Sequence, residues 1–220
     1  EFHLPTMEDL GSGALVDLRA FGLPYEPVVR DRVALGGDLV TFSGGKLLMV
    51  PQAGIIVGRR DLIERIRHNP LMRVVRVGRL ILAALEATLR LYLHPQRLAE
   101  HLPPLAMLTR PAEEVKEQAE ALRARLAPML RGKATVAVEP TVSEIGSGAL
   151  PLEGVPSWAL TLRPHQVSAE RLAAALRRHA PPILGRLQDQ RLFLDLRTLD
   201  QEEMVEIERA LRRWKEGELG

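Results

Sequence analysis

The sequence predicts an α/β chain in two parts. Residues 1–104 read as the end of an α/β domain, and residues 105–220 as a smaller α+β domain. Three observations carry this. Two short β-branched runs, DLVTF at 38–42 and GIIVG at 54–58, flank a glycine turn. From about residue 105 onward, helical and strand patterns alternate as helix, strand, strand, helix, strands, helix. Between the two parts, Pro95 and Pro103-Pro104 interrupt the helical pattern and mark a boundary.

Residues 4–10 predict a short strand that ends near Asp9, followed by a Gly11-Ser12-Gly13 loop. Residues 24–33 carry two prolines and then valines and charges, with room for a short helix before Gly36-Gly37. Asp61 can open a helix over 61–68, and Pro70 ends it. Leu71–Leu93 has sustained helical periodicity, with Leu80, Ala84, Ala87 and Leu91 on neighbouring faces and strong helix formers throughout. Residues 111–131 predict a further helix, with Pro111 at its start and Gly132 at its end. Strands are expected at Thr135–Val138 and Trp158–Leu162, on either side of a Gly146-Ser147-Gly148 loop. Ser168 caps a helix reaching about His179. Ile183–Leu187 and Arg191–Leu196 read as paired strands around Gln188-Asp189-Gln190, and Asp200 caps a last helix ending near Gly217.

Composition narrows the function classes. A 220-residue chain with 46% hydrophobic residues can bury a real core. Thirty basic against 28 acidic residues create no global demand for a nucleic-acid partner. The absence of cysteine excludes disulfides and cysteine-zinc sites and suits a reducing cytoplasm. Apolar stretches are broken by arginine or proline well short of about 18–20 residues, so no membrane span is expected. The first residues are polar and carry no secretory pattern, and a chain beginning with Glu1 is expected to be a fragment or a processed product.

The turn TFSGGKLLMVPQAG at 41–54 poses the chemical question, because it places one amine, Lys46, behind two glycines in a run built to be buried. A glycine turn lets backbone N–H groups approach an anion, and a desolvated lysine can act as a nucleophile. The alternative is a strand-end turn with a snorkelling surface lysine. Asp9, Ser43 and Lys46 together match what pyridoxal phosphate requires: an amine for its aldehyde, a carboxylate for its ring nitrogen, and hydroxyls for its phosphate. For Asp9 the alternative is a loop cap, the usual role of aspartate near glycine. Residues 59–79 hold seven arginines against Asp61 and Glu64. Within that belt Arg73 and Arg76 are three apart, on one face of the expected helix, and suit a phosphate or acidic substrate; the alternative is a solvated helix face. Arg197 leaves a strand end and either faces a carboxylate or makes a surface salt bridge, and Trp158 reads as core or interface. The six histidines have no metal-ligand spacing.

The runs DLVTFSGGKLL, PQAGIIVG and NPLMRVVRVGRLILAALEATLRLYLHP resemble the bacterial selenocysteine synthase family, the L-seryl-tRNA(Sec) selenium transferases. So do MEDLGSGALVDLRAFGLPYEP, IGSGALPL and ILGRLQDQRLFLDLRTL. The resemblance covers almost the whole chain and is to the C-terminal half of the family. It implies the C-terminal part of a fold-type-I pyridoxal-phosphate large domain, followed by the small domain. It also implies a cytoplasmic homo-oligomer, a decamer built from dimers. The implied activity is conversion of seryl-tRNA(Sec) to selenocysteinyl-tRNA(Sec) with selenophosphate, by loss of hydroxide to a dehydroalanyl-tRNA and addition of the selenium donor. Lys46 matches the lysine that bonds the cofactor, Asp9 the carboxylate at the pyridine nitrogen, and Ser43 a phosphate-binding position. Arg73 and Arg76 match arginines that hold the selenium donor's phosphate.

Two departures bear on activity. The family usually reads Ser-Gly-Asp-Lys where this chain has Gly45, and Leu-Leu-Gly-Gly where it has Met49-Val50. Relatives acting on amino sugar acids carry Ser-Gly-Gly-Lys, so an ammonia lyase on the same scaffold is one alternative. A non-catalytic oligomerisation fragment is another, and with half the cofactor domain outside the match, weak or absent cofactor binding is expected.

Overall fold

The computed structural model describes residues 4–144 and 154–218. They form two compact units, one of residues 4–109 with Glu144 and one of residues 110–143 with 154–218. The expected Gly146-Ser147-Gly148 loop and the IGSGALPL run lie outside the described residues.

The first unit is built on a three-stranded sheet, β1 (Met7–Gly11), β2 (Leu39–Ser43) and β3 (Gly54–Gly58), in the order β1-β2-β3. A 3-10 turn at Leu18–Phe21 and α1 (Val29–Ala34) connect β1 to β2, which therefore run parallel, while β2 and β3 form an antiparallel pair. One face of β2 projects Val40 and Phe42 into a small core with Val29, Leu48 and Val50. Gly13 follows from that packing: with φ at +63°, a Cβ there would fall 2.2 Å from the Phe42 ring. The other end of the sheet is tied polarly. Thr6 donates its backbone N–H to Asp38 Oδ2 at 2.8 Å, and Arg59 donates to Asp38 Oδ1 at 2.8 Å. The Thr6 backbone bond first, and then the Arg59 guanidinium, hold the Asp38 carboxyl below the usual carboxylate range.

After β3 come α2 (Arg60–Arg67), α3 (Leu71–Val74) and α4 (Arg79–Leu91), then a 3-10 turn at Pro95–Arg97, α5 (Leu98–His101) and α6 (Pro103–Thr109). The single helix expected over Leu71–Leu93 is thus two helices. Gly78 sits at the start of α4 with extended backbone, φ −69° and ψ 157°. Three nearby valines, 74, 75 and 77, add β-branched residues with weak helix preference, so local propensity breaks a pattern whose period is otherwise continuous. Leu85 and Tyr92 pack against the core of this unit, but other apolar positions of the stretch stay exposed: Val74 is 81% exposed, Leu80 86% and Leu93 72%.

The second unit opens with α7 (Ala112–Met129), followed by β4 (Ala134–Ser143), β5 (Val155–Pro164), α8 (Ala169–Arg177), β6 (Arg186–Gln188), β7 (Arg191–Asp195) and α9 (Gln201–Glu216). The sheet is fully antiparallel, in the order β4-β5-β7-β6. Strands β4 and β5 extend well beyond the expected 135–138 and 158–162, because each continues the other's ladder from Ala134↔Pro164 to Ser143↔Val155. The β6–β7 hairpin turns at Asp189 and Gln190, both with positive φ, the geometry that matches strand twist in a two-residue turn. Helices α7, α8 and α9 contribute Leu122, Leu126, Leu172, Leu176, Ile207 and Leu211 to one core against Leu160, Leu162, Leu192 and Leu194. Asp200 caps α9 in a reciprocal capping box with Glu203, and Ser168 caps α8, both as expected. Trp158 packs against this core, with Lys116 Nζ 4.6 Å from its ring centroid. Among the described residues, no helix is long and apolar enough to cross a membrane.

Candidate functional site

Parallel pairing of β1 and β2 places their C-terminal ends on one edge, and the turns leaving that edge carry the reactive residues. Asp9 stands directly opposite Thr41 in the register. Beyond Asp9 the register shifts, so that Gly11 rather than Leu10 meets Phe42. This bulge aims the Gly11 N–H back at the Asp9 carboxylate, with N···Oδ1 3.1 Å. Thr41 donates its hydroxyl to the same oxygen at 3.1 Å. Among the described residues no donor reaches Oδ2, and Asp9 is exposed.

Lys46 lies in the turn that follows β2, and its Nζ reaches the β1 end: a Cβ on Gly11 would be 3.7 Å from it. An amine and a carboxylate thirty-seven positions apart in sequence therefore converge over two residues of one strand end. Ser43, the last residue of β2, faces Gly54 across the β2–β3 pair at the same edge.

The apolar run around the lysine anchors the turn. Leu47, Leu48 and Val50 are buried while Lys46 itself is exposed. Backbone bonds close the loop, from Gly44 N–H to Ala53 O at 2.8 Å, Val50 N–H to Gly44 O at 3.0 Å, and Met49 N–H to Lys46 O at 3.0 Å. Tyr92, just past α4, shares its hydroxyl between Leu48 O at 3.2 Å and Leu47 O at 3.4 Å. Burial pushes the Tyr92 hydroxyl up to about 12. Sequence reasoning did not find Thr41 or Tyr92. Thr41 becomes visible only once β1 is known to pair with β2, and Tyr92 reads as one more apolar position of a helix.

The two departures from the family pattern have distinct local meanings. The left-handed conformation that suits glycine falls on Met49, with φ +59°. Val50 does not take it and instead fills core space beside Gly44, where a Cβ would lie 2.6 Å from the valine Cγ2. At Gly45, the close contact of a Cβ would be with the flexible end of Gln52, at 2.6 Å from Oε1, with the Gln52 Cα at an ordinary 3.7 Å.

The arginine belt is divided. Arg59 pairs with Asp38 and Asp61, and Arg67 with Glu64. Arg73 lies in α3, whereas Arg76 lies in the non-helical link before α4, so the two do not share a helix face as the sequence spacing suggested. Both are exposed, and no described carboxylate pairs with either. Arg197 is not at the surface: it is 2% exposed and donates to the carbonyls of Arg110 and Pro156.

These features define a class. A parallel strand pair with a lysine turn and a strand-end aspartate, followed by a separate α+β unit, places the chain among α/β proteins whose reactive residues gather at strand ends. The fold matches a solved D-glucosaminate-6-phosphate ammonia-lyase with a TM-score of 0.55 at 21% identity, over 98% of this chain and 50% of that one. Residues 1–200 match the family described as SelA, L-seryl-tRNA selenium transferase, and the chain belongs to that family. It is 50% identical over 214 residues to the L-seryl-tRNA(Sec) selenium transferase of Moorella thermoacetica, covering 97% of this chain and 46% of that protein. Its identity to the Escherichia coli enzyme of the same name is 50% over 206 residues, covering 92% of this chain and 44% of that protein. The chain thus spans less than half the length of these relatives.

Proposed function

We propose that this chain carries the lysine half of a pyridoxal-phosphate site used to convert seryl-tRNA(Sec) to selenocysteinyl-tRNA(Sec). The observation that supports it most is the approach of Lys46 Nζ to Gly11, whose N–H binds the Asp9 carboxylate. The donor set fits the cofactor: an exposed amine, a carboxylate with one oxygen unoccupied by described donors, and a hydroxyl at Ser43. When bound, pyridoxal phosphate supplies an electron sink for the bonds at the serine α-carbon.

The chain's own residues do the rest. Lys46 would hold the cofactor's aldehyde and, once the seryl amine has displaced it there, its freed amine would take the α-proton. Asp9 would accept the ring N–H through Oδ2, and Ser43 would donate to the cofactor phosphate. Loss of the serine hydroxyl, which leaves with the α-proton as water, gives a dehydroalanyl-tRNA. The selenium of selenophosphate then bonds to its β-carbon, the α-carbon regains a proton, and water cleaves the Se–P bond to release phosphate, while Arg73 and Arg76 hold the donor's negative charge. The exposed apolar positions Val74, Leu80 and Leu93 favour assembly into a homo-oligomer. A cytoplasmic location accords with the absence of cysteine.

A lyase acting on an amino sugar acid is the second reading, favoured by Gly45 at the turn. The selenium transferase reading is preferred because 50% identity extends over 97% of the chain, against 21% for the lyase of known structure. Borohydride reduction in millimolar pyridoxal phosphate, followed by peptide mass analysis, should tag Lys46 and leave Lys46→Ala untagged. Seryl-tRNA dehydration should then appear in an assembly containing this chain, and ammonia release from sugar acids should not. The reverse pattern transfers the site to the second reading.

A further inference from the structure

We infer that Thr41 is a positioning residue for Asp9, fixing the rotation of its carboxylate so that Oδ2 meets the cofactor's ring nitrogen. The inference rests on the reading of Lys46 and Asp9 as a pyridoxal-phosphate site. A carboxylate on a strand end is free to turn about its last bond, and a ring N–H is served well by only one in-plane oxygen. Here the rotation is taken from Asp9 by two donors on one oxygen. Thr41 Oγ1 and Gly11 N each lie 3.1 Å from Oδ1. With Oδ1 committed, Oδ2 is the oxygen left for a ligand on the exposed side.

Thr41 is suited to this by its place in β2. Its neighbours Val40 and Phe42 are buried on the core face, so the alternation of the strand projects Thr41 to the Asp9 face and pins it there. Its β-branched side chain has few rotamers, so the hydroxyl is held without help from elsewhere. Gly11, the second donor, is supplied by the register shift after Asp9 and needs no side chain. The two donors thus come from different strands, and the carboxylate is set by the pairing of β1 with β2 itself.

The test uses the full chain with ring-15N pyridoxal phosphate at millimolar concentration, in the wild type, Thr41→Val, Thr41→Ser and Asp9→Asn. Valine keeps the shape and the strand preference of threonine, and the melting curve of each variant checks folding. Thr41→Val should raise the cofactor Kd about threefold to tenfold, the range of one lost hydrogen bond. It should also move the ring 15N signal towards that of an unprotonated pyridine, and Thr41→Ser should restore both. A structural role alone would lower the melting temperature and leave the 15N signal in place. If Asp9→Asn moves the signal and Thr41→Val leaves signal and Kd at wild-type values, the Thr41 role is overturned and the cofactor site stands. If Asp9→Asn also leaves the signal of the bound cofactor in place, the cofactor reading falls and this inference with it.

Discussion

Arg110 and Arg197 each donate to the other's backbone carbonyl, Arg110 Nη1 to Arg197 O at 2.8 Å and Arg197 Nη1 to Arg110 O at 2.7 Å. The exchange joins the segment just before α7 to the segment just after β7, so the start of the second unit is tied to the link between β7 and α9 by two guanidinium groups. Arg197 also reaches Pro156 O at 2.6 Å, while its own backbone N–H donates to Asp195. Burial lowers its basicity first, and the neighbouring Asp195 carboxylate opposes that. Arg197→Met should cost about 3 kcal/mol in chemical denaturation, because charged hydrogen bonds are lost and buried carbonyls are left unpaired. A loss below about 0.5 kcal/mol, the size of an ordinary surface substitution, would show the tie to be dispensable.

Tyr92 makes the lysine turn sensitive to alkali. Its hydroxyl is pushed up to about 12 in the folded chain, above its ordinary value of 10.0. The folded state therefore binds the proton more tightly than the unfolded state does. The stability this provides is complete below pH 10 and is lost as pH rises from about 10 to about 12. Tyrosinate absorbance should contain a late component that Tyr92→Phe removes. Protection of the Leu47 and Leu48 amides, taken relative to their base-catalysed intrinsic exchange, should fall over the same interval in the wild type only.

Met49 and Val50 should respond differently to the glycine that the family pattern places there. Met49 already occupies the left-handed region, so Met49→Gly relieves strain while giving up part of a side chain, and stability should stay within about 1 kcal/mol. Val50→Gly removes a buried side chain from the core that holds the turn and should cost about 2–3 kcal/mol. Urea denaturation of both variants measures the contrast. Equal losses would contradict the assignment of the strained position.

Gly13→Ala should be among the most damaging small substitutions in the first unit. The added methyl would overlap the Phe42 ring at 2.2 Å, on a backbone at φ +63° that alanine resists. We expect a loss of about 2–4 kcal/mol by thermal denaturation, the range for overpacking combined with left-handed strain. Recovery in Gly13→Ala combined with Phe42→Leu would identify the clash as the cause.

Much of the secondary structure was legible because local chemistry and global packing agree there. Ser168 and Asp200 cap helices α8 and α9 with their own side chains, and the Asp189-Gln190 pair turns a hairpin, all within a few residues. The reading failed where local preference and long-range pattern diverge. Leu71–Leu93 keeps a helical period throughout, yet Gly78 and its neighbouring valines split it, and that split separates Arg73 from Arg76. For Arg197 the surface option falls because the residue is buried beside Asp195, and no sequence pattern reveals that backbone carbonyls of Arg110 and Pro156 await it.

The amino-acid sequence alone determined the residue types of the site, the glycine turn that presents Lys46, and the long ordered matches that mark the family. These are properties of neighbours along the chain, and short-range sterics and capping suffice to express them. The tertiary structure decided the rest: that β1 and β2 lie side by side and parallel, that Thr41 stands opposite Asp9, and that Tyr92 fastens the turn from a distant helix end. Those relationships depend on which strands pair and which faces are buried, and a pairing register is set by the whole core rather than by any segment within it.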